Sequence, residues 1–229
     1  MKCPQCHSTH TTKNGHRRGR QCYKCKQCGR QFLESYRPGA YSDDIKQLCL
    51  KMYLNGMGLR GIERVTEIHH TTIMHWIREA GHPLRDAPEA EEIPEITDLD
   101  ELQTFVGHKR HKLWIWTAVN HKRAGILAWV IGERSSETFK GLWVIVKCWH
   151  CFFYVTDGWK VYSMFIEDGD QIVSKTYMTR VEGENTRLRH YLARLHRKTL
   201  CYSKSVEMLK CSLRLLLHYL KYRTVPLPA

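Results

Sequence analysis

Two Cys-x-x-Cys pairs, Cys3-Pro4-Gln5-Cys6 and Cys25-Lys26-Gln27-Cys28, stand eighteen residues apart at the start of the chain. Two such knuckles can place four thiolates tetrahedrally around Zn²⁺, and the metal then replaces a hydrophobic core that so short a segment cannot build. The zinc this implies is structural, because four thiolates leave no open position for chemistry. Between the knuckles, Thr11 to Gly19 reads as a hairpin turning at Asn14-Gly15, and Gly29 eases the second knuckle. His7, His10, His16 and Cys22 compete as ligands. Cys22 forms a Cys-x-x-Cys of its own with Cys25, but pairing Cys25 with Cys28 keeps the two knuckles symmetric. Arg17, Arg18 and Arg20, with Lys24 and Lys26, would give this ribbon a phosphate-binding face.

The 229 residues carry a net charge of +13 and a pI near 9.3, so the expected partner is a polyanion, DNA or RNA ahead of an acidic membrane, and the DNA-binding modules below point to double-stranded DNA. Charge falls in blocks: residues 1–41 hold nine Lys/Arg against one acid, residues 86–101 eight acids and no Lys/Arg, and residues 171–223 twelve Lys/Arg against three acids. The acidic, Pro-containing stretch reads as a linker. The expected organisation is a zinc ribbon over 1–41, a helix-turn-helix over 42–85, a linker over 86–97 and a catalytic domain over 98–229. No run of about 18 apolar residues marks a membrane span. The start of the chain lacks a signal-peptide core, and the ten cysteines read as metal ligands and buried thiols. A cytoplasmic, nucleoid-associated protein is expected.

After Ser42, a plausible N-cap, Ile45, Leu48, Cys49, Met52 and Tyr53 recur at helical spacing; Asn55-Gly56-Met57-Gly58 breaks that helix. Leu59, Ile62 and Val65 mark a second helix. A third, capped by Thr71, turns Ile73, Trp76, Ile77 and Ala80 inward and ends at Gly81. Three short helices with a tight middle turn fit a helix-turn-helix whose third helix would read the major groove through Thr72, His75 and Arg78.

Beyond Asp100 the periodicity shortens. Leu102–Val106, Leu113–Val119 and Ile126–Ile131 read as strands, followed by a helix over Ser136–Lys147 and a buried fourth strand over Phe152–Thr156. A short fifth strand lies near Gln171–Ser174, and helices follow over Arg180–Leu195 and Ser205–Tyr219. That order predicts a mixed α/β, ribonuclease-H-like catalytic domain. Asp100 would precede its first strand, Asp157 end its fourth, and Glu182 come from a helix. Three carboxylates in so basic a chain suit hard divalent cations, Mg²⁺ or Mn²⁺. Glu101 is an alternative first ligand. Glu184, about 200° around the helix from Glu182, is expected to face solvent. Asp98, Glu167, Asp168 and Asp170 read as loop charges. Cys148-Trp149-His150-Cys151 has no second pair to make a metal site with.

The chain resembles transposases of the insertion-sequence-one family. The resemblance is carried by Leu99-Asp100-Glu101 leading to Phe105-Val106-Gly107, by Trp114 and Trp116, and by Gly125-Ile126-Leu127-Ala128-Trp129-Val130. Further on it is carried by Thr156-Asp157 with Trp159 and Tyr162, by Arg180, Glu182, Asn185, Leu188 and Arg189, and by Arg197-Lys198-Thr199 with Cys201 and Ser203-Lys204-Ser205. Twenty-four residues separate Asp157 from Glu182, as that family's short second spacing requires. The resemblance implies a DDE triad of Asp100, Asp157 and Glu182 holding two Mg²⁺ ions for DNA cleavage and strand transfer, on a homo-oligomer that brings two element ends together. Asn185 would orient Glu182 or bind DNA. Arg189, Arg194, Arg197 and Lys198 would line the substrate path. The competing readings are a zinc-dependent repressor with an inactive C-terminal half and a nuclease without strand transfer. A tyrosine nucleophile at Tyr162 or Tyr177 explains less.

Overall fold

A computed structural model describes residues 1–17, 19–34, 41–86 and 93–227. It divides into two compact units, Met1–Ser42 and Asp43–Ala229.

The first unit is a three-stranded antiparallel sheet of β1 (Thr11–Arg17), β2 (Arg20–Cys25) and β3 (Gln31–Leu33). The hairpin reverses later than the sequence suggests. Arg17 pairs with Arg20, and Asn14-Gly15 sits in a bulge between Lys13 and His16, with Gly15 at φ +71°. An Asn-Gly pair supplies positive φ to a bulge as readily as to a turn. Each knuckle is followed by a left-handed residue, His7 in one and Gly29 in the other. The buried apolar content is slight: Cys3, Cys25 and Phe32, with Tyr23 stacked on Phe32.

The second unit begins with α1 (Asp43–Leu54), α2 (Leu59–Thr66) and α3 (His70–Gly81). There follow β4 (Ile96–Phe105), β5 (Lys112–Asn120), β6 (Ile126–Gly132), α4 (Ser136–Lys147), β7 (Phe153–Thr156) and β8 (Gln171–Val173). The chain closes with α5 (Thr179–Tyr191) and α6 (Val206–Tyr222). One sheet runs β6-β5-β4-β7-β8. The β4–β5 and β5–β6 pairings are antiparallel, the β4–β7 and β7–β8 pairings parallel. The first strand starts six residues earlier than the apolar run Leu102–Val106 suggests, so Asp98 and Asp100 lie within it.

Alternation in the strands divides the sheet's two faces. Leu99, Trp116, Ala118, Ala128 and Tyr154 meet Phe139, Leu142 and Val146 of α4, whose start is capped by Ser135. Leu102, Ile115, Val119 and Val155 meet Val181 and Leu188 of α5, and the same core continues through α6 into α1–α3. The helices expected to stand apart over 42–85 therefore share a core with the sheet. In α1 the buried stripe is Cys49, Leu50, Tyr53 and Leu54, while Ile45 and Leu48 are exposed. The buried face is turned toward α6, where Tyr53 Oη and Ser212 Oγ lie 2.7 Å apart in the interior. The cap of α3 is His69 rather than Thr71, and Thr71 N–H donates to its Nδ1.

Gly81 marks where α3 meets α6. A Cβ there would stand 2.6 Å from the Cys211 carbonyl oxygen, closer than any real contact. Gly→Ala normally stabilises a helix interior by up to about 1 kcal/mol. Here we predict the reverse: Gly81→Ala should destabilise the protein by about 1–3 kcal/mol in urea melts, through overpacking.

Candidate active site and nucleic-acid contacts

The four knuckle sulfurs converge. Cys3 Sγ lies 3.5 Å from Cys28 Sγ and Cys6 Sγ 3.6 Å from Cys25 Sγ, and all four lie within 4.8 Å of one another. A tetrahedral zinc–thiolate site with bonds of about 2.3 Å needs sulfurs about 3.8 Å apart, so the set fits zinc. Their ionisation points the same way. Burial opposes the Cys3 thiolate, but the Cys6 and Gln5 amides outweigh it and bring the thiol down to about 6. At Cys6 the Ser8 amide pulls down, yet burial and the crowding of Cys28, Cys25 and Cys3 push it up to about 12. A dication between the four sulfurs would offset that crowding and allow all four to ionise. Cys22 is buried but lies outside the cluster, its Sγ directed at the Tyr23 carbonyl.

The central acids are brought together by strand register. Asp98 pairs with Val155 across the parallel β4–β7 ladder. Asp100 and Asp157 each stand two residues further on, Asp100 still within β4 and Asp157 just past the end of β7, so the register directs the two acids to the same face of the sheet. The charge of Asp157 reaches Asp100: burial chiefly, then the charges of Glu101 and Asp157, lift the Asp100 carboxyl to about 6 against opposing hydrogen bonds from the Glu101 backbone and Asn185. Asn185 Nδ2 donates to Asp100 Oδ2 at 2.8 Å, and Thr117 Oγ1 donates to Asn185 Oδ1 at 3.2 Å. Asp157 Oδ1 accepts the Trp159 amide at 2.9 Å.

Glu101, one residue along β4, points to the opposite face. Its carboxylate accepts from Arg134 Nε at 2.9 Å and from Tyr162 Oη at 2.7 Å. Arg134 in turn lies 4.4 Å over the Trp159 ring. Glu101 is thus committed to a buried structural pair, and Asp100 is the acid that faces α5. Tyr162 is fully buried with its hydroxyl spent on Glu101, and burial raises it far above an ordinary phenol, which disqualifies it as a nucleophile.

Glu182 is exposed in the first turn of α5, one helical turn before Asn185, and it is not drawn into a tight cluster with the aspartates. Two acids behave contrary to expectation. Glu184 is buried, not solvent-facing, because its Oε1 accepts the Gly125 amide at 3.1 Å and pairs with Arg187. Asp98 is no loop charge: it is fully buried in β4, with Oδ1 2.8 Å from His121 Nδ1, and Oδ2 makes no hydrogen bond. Glu167, Asp168 and Asp170 are exposed as loop residues should be. Cys151 is buried against Thr97, and Cys148 is exposed.

The expected DNA contacts separate into two groups. Arg17, His75, Arg78, Arg197 and Lys198 are exposed, Arg20 and Thr72 are half-buried, and Arg18 lies outside the described residues. Asn185, Arg189 and Arg194 are instead engaged internally. Asn185 is buried on Asp100 and Thr117 and does not orient Glu182. Arg189 donates to the Leu195 and Gln103 carbonyls. Arg194 is buried over the Tyr53 ring, 2.9 Å from Ser203 Oγ. Arg189 spends two of its five donors on these carbonyls and is half-buried, so it keeps donors that can reach a phosphate. Thr117, Arg134 and Trp159 were not foreseen as parts of the site. A lone Thr in the otherwise apolar run Trp114–Val119 was the available signal.

With this geometry in view, comparison with known proteins identifies the class. Residues 95–224 match the profile of the IS1 transposase family, and the chain belongs to that family. The InsB protein of insertion element iso-IS1n from Shigella dysenteriae is 35% identical over 113 residues, 49% of this chain and 86% of the relative. The IS1 InsB protein of Shigella flexneri is 36% identical over 111 residues, 48% of this chain and 85% of the relative. An InsB protein of Escherichia coli K12 is similar at 36% over 111 residues, covering 66% of its length. Among the described residues no helix is long and apolar enough to cross a membrane.

The raised Asp100 carboxyl has a sign. Between its ordinary value of 3.8 and about 6 the folded state binds more protons than the unfolded one, so stability falls as pH rises through that window. Without divalent metal, Asp100→Asn should therefore be more stable than wild type above pH 6, by about 1–2 kcal/mol after solvent screening, with the gap closing toward pH 4. Thermal melts across pH check this.

Proposed function

We propose that this chain is a DNA transposase with a ribonuclease-H-like catalytic domain that cuts and joins DNA at the ends of its insertion element. The observation that carries the reading is that Asp100 in β4 and Asp157 just past the end of its parallel neighbour β7 are close enough for one charge to act on the other, and among the described residues no cationic side chain is bonded to either. The sheet order, three antiparallel strands followed by two parallel ones beyond β4, supports the fold assignment.

Asp100, Asp157 and Glu182 would hold two Mg²⁺ or Mn²⁺ ions, which when bound activate a hydroxyl and neutralise charge on the phosphate. Asn185, fixed by Thr117, holds one Asp100 oxygen and leaves the other toward the substrate side. The Trp159 amide fixes Asp157 in the same way. Glu182, exposed and one turn from Asn185, would close on the aspartates when substrate and metal arrive. Cleavage breaks a phosphodiester with water and leaves a 3′-hydroxyl. Strand transfer then forms one P–O bond to target DNA as another breaks, so no external energy source is needed.

DNA would be held by the ribbon through Arg17, Arg18 and Arg20, by α3 through Thr72, His75 and Arg78, and by Arg197 and Lys198. The four-cysteine ribbon would carry structural Zn²⁺. Synapsis of two ends calls for a homo-oligomer on DNA.

The test is a Mg²⁺-dependent cleavage and strand-transfer assay on DNA from the element's flanks. Wild type should yield joined products. Asp157→Asn should lose at least about 10³-fold in rate while still binding ends, as expected when a ligand of a two-metal site is removed. End binding without chemistry in a folded, metal-loaded wild type would leave a DNA-binding repressor instead.

A further inference from the structure

A second group of metal-binding side chains lies away from both sites already described. Glu63 projects from α2, and His69 and His70 open α3; one ligand atom from each lies within 4.8 Å of the others. His70 Nδ1 is 2.8 Å from Glu63 Oε2, and His69 Nε2 is 3.8 Å from Glu63 Oε1. The two imidazoles thus address different oxygens of one carboxylate, with their ring centroids 4.3 Å apart. The far nitrogen of His69 is occupied: Nδ1 lies 2.6 Å from Thr71 Oγ1. As the α3 cap this Nδ1 accepts the Thr71 amide, so ligation through Nε2 requires Nδ1 to carry the proton and donate to Thr71 Oγ1 instead, the arrangement that metal-ligating histidines commonly use.

We propose that Glu63, His69 and His70 form a second transition-metal site, of Zn²⁺ type, that ties the end of α2 to the start of α3. Two imidazole nitrogens and one carboxylate are a borderline donor set that suits Zn²⁺ and leaves room for water. All three side chains are partly exposed, so an ion can enter without unfolding. A hydrogen-bonded ion pair accounts for the geometry less completely. The His70–Glu63 hydrogen bond leaves the 3.8 Å approach of His69 Nε2 to Glu63 Oε1 without a hydrogen bond of its own. A dication draws in all three groups and displaces the proton shared by His70 and Glu63 into solvent. The residues between the ligands include Glu67 at φ +59°, so the ion would brace the tight turn that sets the angle of α3. This site is independent of the transposase reading and of the four-cysteine ribbon.

The test uses the full chain, stripped of metal, reloaded with Zn²⁺ under excess Mg²⁺ and passed through a desalting column before zinc analysis. Wild type should retain about two zinc ions per chain and Glu63→Gln or His69→Gln about one, given one ion per closed ligand set. Glu63→Gln leaves the His69 cap of α3 in place, so it separates ligand loss from loss of the cap. With Co²⁺ as probe, the sulfur-to-metal absorption of the ribbon should be unchanged in both variants while the remaining nitrogen/oxygen-ligated component disappears. A wild type retaining only one zinc, or a second zinc that survives both substitutions, would overturn the proposal.

Discussion

The parallel pairing of β4 with β7 is the constraint on which the second unit depends. Three register pairs, ending at Asp98 and Val155, align the two strands, and the next residues of like parity are Asp100, still within β4, and Asp157, just past the end of β7. Hydrogen bonding of the ladder therefore directs two carboxylates to the same face of the sheet whatever their mutual repulsion. The cost appears at Asp100, whose carboxyl is lifted to about 6 by burial and by its acidic neighbours. A fold that tolerates this has a use for concentrated negative charge, and hard cations are what such charge attracts.

The rest of the sheet is organised so that those acids hold still. On one face, Thr117 and Asn185 tie Asp100 to α5, and Glu184 fastens the same helix to the β5–β6 turn through the Gly125 amide. On the other face, Glu101, Arg134, Tyr162 and Trp159 form a compact group below Asp157. Buried polar groups at this density are costly unless satisfied, and nearly all of these are. Helix α5 is thereby pinned at Glu184 and Asn185, just after Glu182, while Glu182 itself stays exposed. A fixed helix with one unconstrained acid is a reasonable way to supply a late-arriving ligand.

Much of this was legible in the chain itself. Short apolar runs located β5, β6 and β7, and helix-like stretches located α3, α4 and α6, to within a few residues. What sequence could not give was tertiary commitment. Asp98 looks like a loop charge because it precedes the apolar run, yet the ladder to β7 extends the strand past it. Glu184 looks solvent-facing by helical angle, yet a hairpin amide reaches it. Arg189 and Arg194 belong to a basic stretch that reads as a DNA surface, and both are engaged by carbonyl, hydroxyl and ring partners supplied by distant residues. Asn14-Gly15 marks positive φ correctly but not whether a turn or a bulge uses it. In each case the deciding partner lies far away in sequence.

The central claim is that the Asp100–Asp157 pair is a cation site created by strand register. The most direct measurement is Mn²⁺ affinity for the DNA-free protein as a function of pH, followed by electron paramagnetic resonance, in wild type and in Asp157→Asn. The account predicts that binding weakens as pH falls through about 6, where Asp100 takes up its proton, and that the substitution removes both the binding and its pH dependence. Mn²⁺ binding that is indifferent to pH across this range, or that survives Asp157→Asn, would contradict it.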